Sequence, residues 1–203
     1  MIRLFPSLLS TVVVAAVVVI IIIIMFIFIH EAIAESASDK NLETYENANY
    51  GFKIMYPSSW EKLEFSGGIE ESGRSIVVRF LSPAEGVSDS FREYLIIEVD
   101  KNIQSNKIRL DQYVESHIDS LRRSLQGFNV NELNITSVTH NPEEKVVYSY
   151  RDPVIGTAKT MEVWIRSPNR LYLISFNADE TKYFYYLPLV EKMLSSFKIT
   201  DQS

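Results

Sequence analysis

Histidines, carboxylate pairs and hydroxyls are the side chains here that could do chemistry, and their spacing limits what that chemistry can be. His30-Glu31-Ala32-Ile33-Ala34 begins like the zinc motif HExxH, but Ala34 stands where the second imidazole is needed, so one helix face cannot supply the ligand pair. His117 and His140 are the other histidines. His117 falls beside an apolar helical stripe and is expected as a partly buried structural imidazole; His140 adjoins the Asn141-Pro142 turn and is expected to be exposed. Glu70/Glu71, Glu143/Glu144 and Asp179/Glu180 pair carboxylates, and clustered oxygens of this kind can take a hard cation such as Ca²⁺. None has the alternating spacing of a calcium loop, and no cofactor motif is present: the seven glycines form neither GxSxG nor GxxxxGK[ST]. The chain has no cysteine, which excludes disulfides, thiolate catalysis and cysteine-ligated zinc. No residue set reads as catalytic. A cryptic hydrolase assembled from distant Ser, His and Asp residues is the third-ranked reading.

Two further features bear on partners. Tyr183, Phe184, Tyr185 and Tyr186 run consecutively, and four rings in a row cannot all face one side of a helix. About half are expected in the core; Tyr183 and Tyr185 are the expected interaction surface. Asn134-Ile135-Thr136 is the one glycosylation sequon, meaningful only on an exported chain and with Asn134 accessible.

The elements that must position these groups begin with an apolar run. Leu8 to Ile29, 22 residues, carries no charge and only Ser10 and Thr11 as polar side chains. At about 1.5 Å per residue this length crosses a hydrocarbon core of about 30 Å as a helix. It is expected as the transmembrane anchor of segment 1–30, with cleavage after Ala34 in Ala32-Ile33-Ala34 as the signal-peptide alternative. Arg3 precedes the span and Glu31 and Glu35 follow it, so the positive-inside bias places the rest of the chain outside the cytoplasm. The expected location is the cell membrane, single-pass, or the secreted state if the segment is cleaved. Only Arg3 of the 20 basic residues lies before Glu31, so residues 31–203 carry 19 basic and 26 acidic side chains, a net of −7. That balance suits neither nucleic acid nor an anionic surface.

Residues 31–47 are polar and aperiodic and read as a flexible tether; residues 48–200 form one domain. Phe52, Ile54 and Tyr56 alternate with Lys53 and Met55 up to Pro57, a strand, with Trp60 folding back into the core. Strands follow at Ile76–Leu81, after turn-rich Ser66-Gly67-Gly68 and Ser72-Gly73, and at Tyr94–Val99, where Leu95-Ile96-Ile97 implies burial on more than one side. Leu110, Tyr113, Val114, Ile118, Leu121 and Leu125 make a helical stripe, stopped by Gly127. Leu133/Ile135 and Val146–Tyr150 read as strands, and Thr160–Ile165 with Leu171–Phe176 as a hairpin about Ser167-Pro168-Asn169. A last helix is expected to start at Pro188, where the missing N–H costs nothing. The order predicts an α+β domain with an antiparallel sheet and packed helices.

Gly51-Phe52-Lys53-Ile54-Met55-Tyr56-Pro57-Ser58-Ser59-Trp60 is similar to the opening signature of PsbP-like domains, and Leu110-Asp111-Gln112-Tyr113-Val114 resembles the start of that family's central helix. Leu171-Tyr172-Leu173-Ile174-Ser175-Phe176, Tyr186-Leu187-Pro188 and Ser195-Ser196-Phe197 resemble its C-terminal strand and helix, so that the resemblance spans about residues 45–200. It implies a central antiparallel sheet sandwiched by helices, shared with a nuclear-import factor that binds the small GTPase Ran. It also implies an accessory role through a protein partner rather than catalysis, with a metal- or small-ligand-binding envelope protein of the same fold as the alternative. A membrane span stands where PsbP has its transit peptide, so a photosynthetic role does not follow.

Overall fold

The computed structural model describes residues 41–200 except 72–73, 88, 102–108 and 135–142. The anchor Leu8–Ile29, the Ala34 cleavage position, the HExxH-like run and His140 lie outside the described residues. Among the described residues no helix is long and apolar enough to cross a membrane.

The chain folds as an α+β domain with a large antiparallel sheet and two helices. Strands β1 (Leu42–Asn47), β2 (Phe52–Pro57) and β10 (Lys198–Ile199) make a three-stranded sheet in the order β1-β2-β10. The seven-stranded sheet runs β3-β4-β5-β9-β8-β7-β6, built from β3 (Glu61–Glu71), β4 (Arg74–Leu81), β5 (Tyr94–Asp100), β6 (Asn129–Asn134), β7 (Glu143–Asp152), β8 (Gly156–Arg166) and β9 (Leu171–Asp179). All its pairings are antiparallel. Central strands must be apolar on both faces, because both are covered. Leu95, Ile96 and Ile97 are accordingly all buried, as are Leu171 through Phe176.

Helix α1 (Leu110–Ser124) lays Val114 and Ile118 on one face, over Val146, Tyr148, Trp164, Leu171 and Leu173. Gly127 then turns the chain at φ +66°, a conformation that costs glycine little. Helix α2 (Glu180–Ser196) and the small sheet cover the opposite face. There Phe52, Ile54 and Trp60 join Val163, Ile174 and Phe176 with Tyr183, Tyr186, Val190 and Met193 of α2. The expected sandwich of helices about the sheet is therefore present in the described domain.

Three expectations fail in their details. β1 occupies Leu42–Asn47, within the stretch read as tether; its apolar content is little more than Tyr45, which packs against Phe52 and Phe80. Ser66-Gly67-Gly68 is not a turn between elements but lies inside β3, where the register to β4 shifts between Glu64 and Ile69. Finally, α2 begins at Glu180, and Pro188 lies inside it. The missing Pro188 donor falls on the Phe184 carbonyl, and Phe184 is on the solvent side, where water can satisfy it.

Candidate functional site

One cleft gathers charge at the end of the domain where three segments meet: the loop 82–93 between β4 and β5, the β7–β8 turn, and the start of α2. Its volume is about 360 Å³, and Glu85, Asp89, Phe91, Ile155, Asp179 and Lys182 are among its walls. The loop is shaped by its own polar groups. Ser82 N–H donates to the Glu93 carbonyl at 2.8 Å and closes the base. Asp89 accepts from Glu85 N–H at 3.0 Å and from Phe91 N–H at 3.3 Å, and Arg92 ties the loop to the Ser82 carbonyl and to Glu61. The Glu85 and Phe91 amides, with the nearby Lys182 and Arg92 charges, hold the Asp89 carboxyl below the usual carboxylate range.

Asp179 caps α2, accepting from Thr181 N–H at 2.8 Å and from its hydroxyl at 2.7 Å. That cap places Lys182 in the first turn, facing the loop. Its Nζ lies 3.1 Å from Glu85 Oε2 and 3.7 Å from Glu93 Oε1. Glu93 is fully buried, with Ser82 Oγ donating to its other oxygen at 3.3 Å. Burial pushes the Glu93 carboxyl up, offset in part by backbone and Ser82 hydrogen bonds and by Lys182. Burial works against the Lys182 ammonium, but the Glu85 hydrogen bond and the charges of Glu93, Glu85 and Asp89 outweigh it and raise its pKa. Beside this cluster burial also drives the Tyr186 phenol up to about 12.

A raised ammonium is a poor nucleophile, and a carboxylate sealed behind it has no path to a substrate proton. What the arrangement offers is ion pairing to an arriving charged group, in a cleft with an apolar rim. Val87 and Val154, next to the cleft residues Gly86 and Ile155, are strongly exposed.

A second polar cluster lies under α1. His117 Nε2 is 3.1 Å from Glu162 Oε2, and Tyr148 donates its hydroxyl to Glu162 Oε1 at 2.9 Å. The imidazole meets Trp164 edge-on, 4.9 Å between ring centres. His117 is thus the structural imidazole expected, held between helix and sheet. Burial, then the Glu162 charge and hydrogen bond, drive the Tyr148 phenol far up, so that it stays a donor.

The other expected residues scatter. Tyr183 is not surface but core, 2% exposed and packed on Phe176, because α2 starts eight residues earlier than Pro188 and turns Tyr183 and Tyr186 inward together. Tyr185 is exposed as expected, with Phe184 rather than Tyr183 beside it. Asn134 ends β6, the edge strand of the large sheet, and Ile135 and Thr136 lie outside the described residues. Of the carboxylate pairs, Asp179 is spent as a helix cap and Glu144 is buried. Among the described residues no three His, Asp or Glu side chains gather as a metal site. Sequence reading missed Glu85, Asp89, Glu93 and Lys182. The one available signal was Asp179 just ahead of Glu180 and Thr181, an N-cap residue type that would have placed Lys182 on a first turn.

No family model and none of the curated proteins matches the chain. Solved structures do. The cyanobacterial PsbP of Synechocystis sp. PCC 6803 superposes with a TM-score of 0.56 at 14% identity, over 78% of this chain and 92% of that one. The chain has the PsbP-like fold. The Ran-binding protein Mog1p of Saccharomyces cerevisiae shares it at a TM-score of 0.52 and 12% identity, over 79% of this chain and 96% of that one. LpqN of Mycobacterium tuberculosis, described as involved in cell envelope biogenesis, gives 0.53 and 13%, over 82% and 96%. At these identities the PsbP-like fold is what is shared; no relative's site residue transfers.

Proposed function

We propose that this chain is a membrane-tethered, non-catalytic accessory module that binds a protein partner outside the cytoplasm, through the cleft between the loop 82–93, the β7–β8 turn and the start of α2. The observation that carries the reading is the pairing of an accessible Lys182–Glu85 ion pair with exposed apolar side chains from two separate segments, Val87 and Val154, beside the cleft walls. Charge recognised within an apolar rim is how protein interfaces obtain register as well as affinity. The titratable cluster His117–Glu162–Tyr148 is closed under α1 and committed to internal bonds. PsbP-like neighbours named for Ran binding and for envelope biogenesis support a binding role. The tether rests on Leu8–Ile29 and the outside location on Arg3 preceding that run.

Crosslinking in intact membranes, followed by mass spectrometry of the native protein, tests this. A reproducible stoichiometric partner, together with an N-terminal peptide that still contains Leu8–Ile29, is the expected result. A mature chain beginning at Glu35 with nothing attached contradicts it, and a calcium-dependent rise in melting temperature would then favour the ligand-binding reading.

A further inference from the structure

A second cavity, remote in sequence from the cleft and independent of its proposed role, is basic in an acidic domain. It measures about 390 Å³ and lies against the small sheet, lined by Thr44 of β1, Lys53 and Met55 of β2, Ser195 and Ser196 at the end of α2, and Lys198 of β10. The sheet register sets Lys198 directly opposite Lys53. Like charges facing each other across antiparallel strands are destabilising, with Cβ atoms about 5 Å apart. Glu46 lies opposite Lys53 on β1 and offsets part of this repulsion, but it is not among the cavity's walls and forms no direct ion pair with Lys53.

The contrast with the remaining described lysines is sharp. Lys62 pairs with Glu64, Lys145 with Glu132 and Lys182 with Glu85. Lys101 lies over Tyr50, Lys159 over Tyr183 and Phe184, and Lys192 is engaged as well. Residues 31–203 carry seven more acidic than basic side chains, so carboxylate partners are in surplus. Among the described lysines, Lys53 and Lys198 share a cavity whose walls contain no carboxylate, and neither forms an ion pair.

Hydroxyls complete the lining. Ser196 Oγ accepts from Met55 N–H at 2.8 Å and donates to the Met193 carbonyl at 2.6 Å; Ser195 Oγ donates to the Lys192 carbonyl at 2.9 Å. The hydroxyl protons of both serines are thereby committed to helix carbonyls, which leaves the two ammoniums and Thr44 to meet an anion. Thr44 adds a hydroxyl from the opposite wall.

We infer that the Lys53–Lys198 cavity binds a compact polyvalent oxyanion of the phosphate class, either free phosphate or the phosphate of a lipid headgroup. Two ammoniums and the Thr44 hydroxyl match the charge and acceptor character of such a group, and binding would turn the like-charge pair into a contact.

The test is the melting temperature of the full-length chain, followed by Trp and Tyr fluorescence, with inorganic phosphate against chloride at matched ionic strength. The wild type is expected to gain about 3 °C, saturating in the millimolar range. The K53Q/K198Q double variant is expected to lose that gain while melting in chloride at or above the wild type, since its repulsion is gone. K101Q, which removes a lysine outside the cavity, should keep the full gain. Short-chain phosphatidic acid below its micelle concentration separates the sources: binding at least tenfold tighter than inorganic phosphate assigns a lipid headgroup, and equal binding assigns free phosphate. An equal gain in wild type and double variant, or none beyond chloride, would overturn the inference. So would a double variant that melts below wild type in chloride, because the lysines would then be structural.

Discussion

Glu162 with His117 under α1, and Glu93 with Lys182 at the cleft, are two buried carboxylates each facing one nitrogen cation or potential cation. Their surroundings separate them. Glu162 is enclosed: its oxygens face the imidazole and a tyrosine hydroxyl, and Trp164 seals the side. Glu93 is equally buried, but its Oε1 meets Lys182 only at 3.7 Å, and that ammonium reaches on to Glu85 at the open cleft. A closed pair fixes a helix on a sheet; a pair with one member facing space can exchange partners. Charge type alone, all that a sequence shows, does not distinguish them.

The largest expected effect breaks the closed cluster. Glu162→Ala leaves the Tyr148 hydroxyl and His117 without their acceptor inside the fold, and should cost about 3 kcal/mol by denaturant unfolding. Partner capture by the folded fraction should be unchanged. At the cleft, Lys182→Met strands Glu93 and should cost about 2 kcal/mol. Adding Glu93→Gln should recover most of that in a double-mutant cycle, yet capture should stay lost, because the exposed charge is gone.

The Glu93→Gln variant alone sharpens the contrast through pH. Burial raises the Glu93 pKa in the folded state, so its contribution is favourable below the ordinary glutamate range and is lost as pH rises through the raised value. Relative to wild type, Glu93→Gln should therefore gain stability at neutral pH, and the difference should vanish in acid. Urea melts across the acid range check both the sign and the window. A gain that grows in acid would mean that Lys182 holds Glu93 ionised. The smallest stability effect belongs to Val87→Ser, within about 0.5 kcal/mol of wild type, with weaker capture of the partner.

Much of the fold could be read from residue order. Phe52-Lys53-Ile54-Met55-Tyr56 alternates and forms β2; the Leu110–Leu125 stripe forms α1; Ser167-Pro168-Asn169 turns β8 into β9. These elements carry their own period. β1 does not: Leu42–Asn47 owes its pairing to β2 and to the place Tyr45 finds against Phe80. Pro188 misled because an interior proline is tolerable where the carbonyl it abandons faces water, and exposure of Phe184 is a tertiary fact. The cleft was invisible for a related reason. Glu93 and Lys182 are 89 positions apart, and no local pattern marks a glutamate at the foot of a strand as buried. His117, by contrast, sits beside its own helical stripe, and its partial burial is legible there.

Photo-crosslinking from a single engineered position tests most directly whether the cleft, and not the α1 face, is the partner-binding end. A benzophenone amino acid at Val87, on the cleft rim, is compared with one at Glu115, on the exposed side of α1, in intact membranes. We predict one reproducible adduct from position 87, abolished by Lys182→Glu, and none from position 115. An adduct from position 115 that ignores Lys182→Glu, with position 87 silent, would contradict the account.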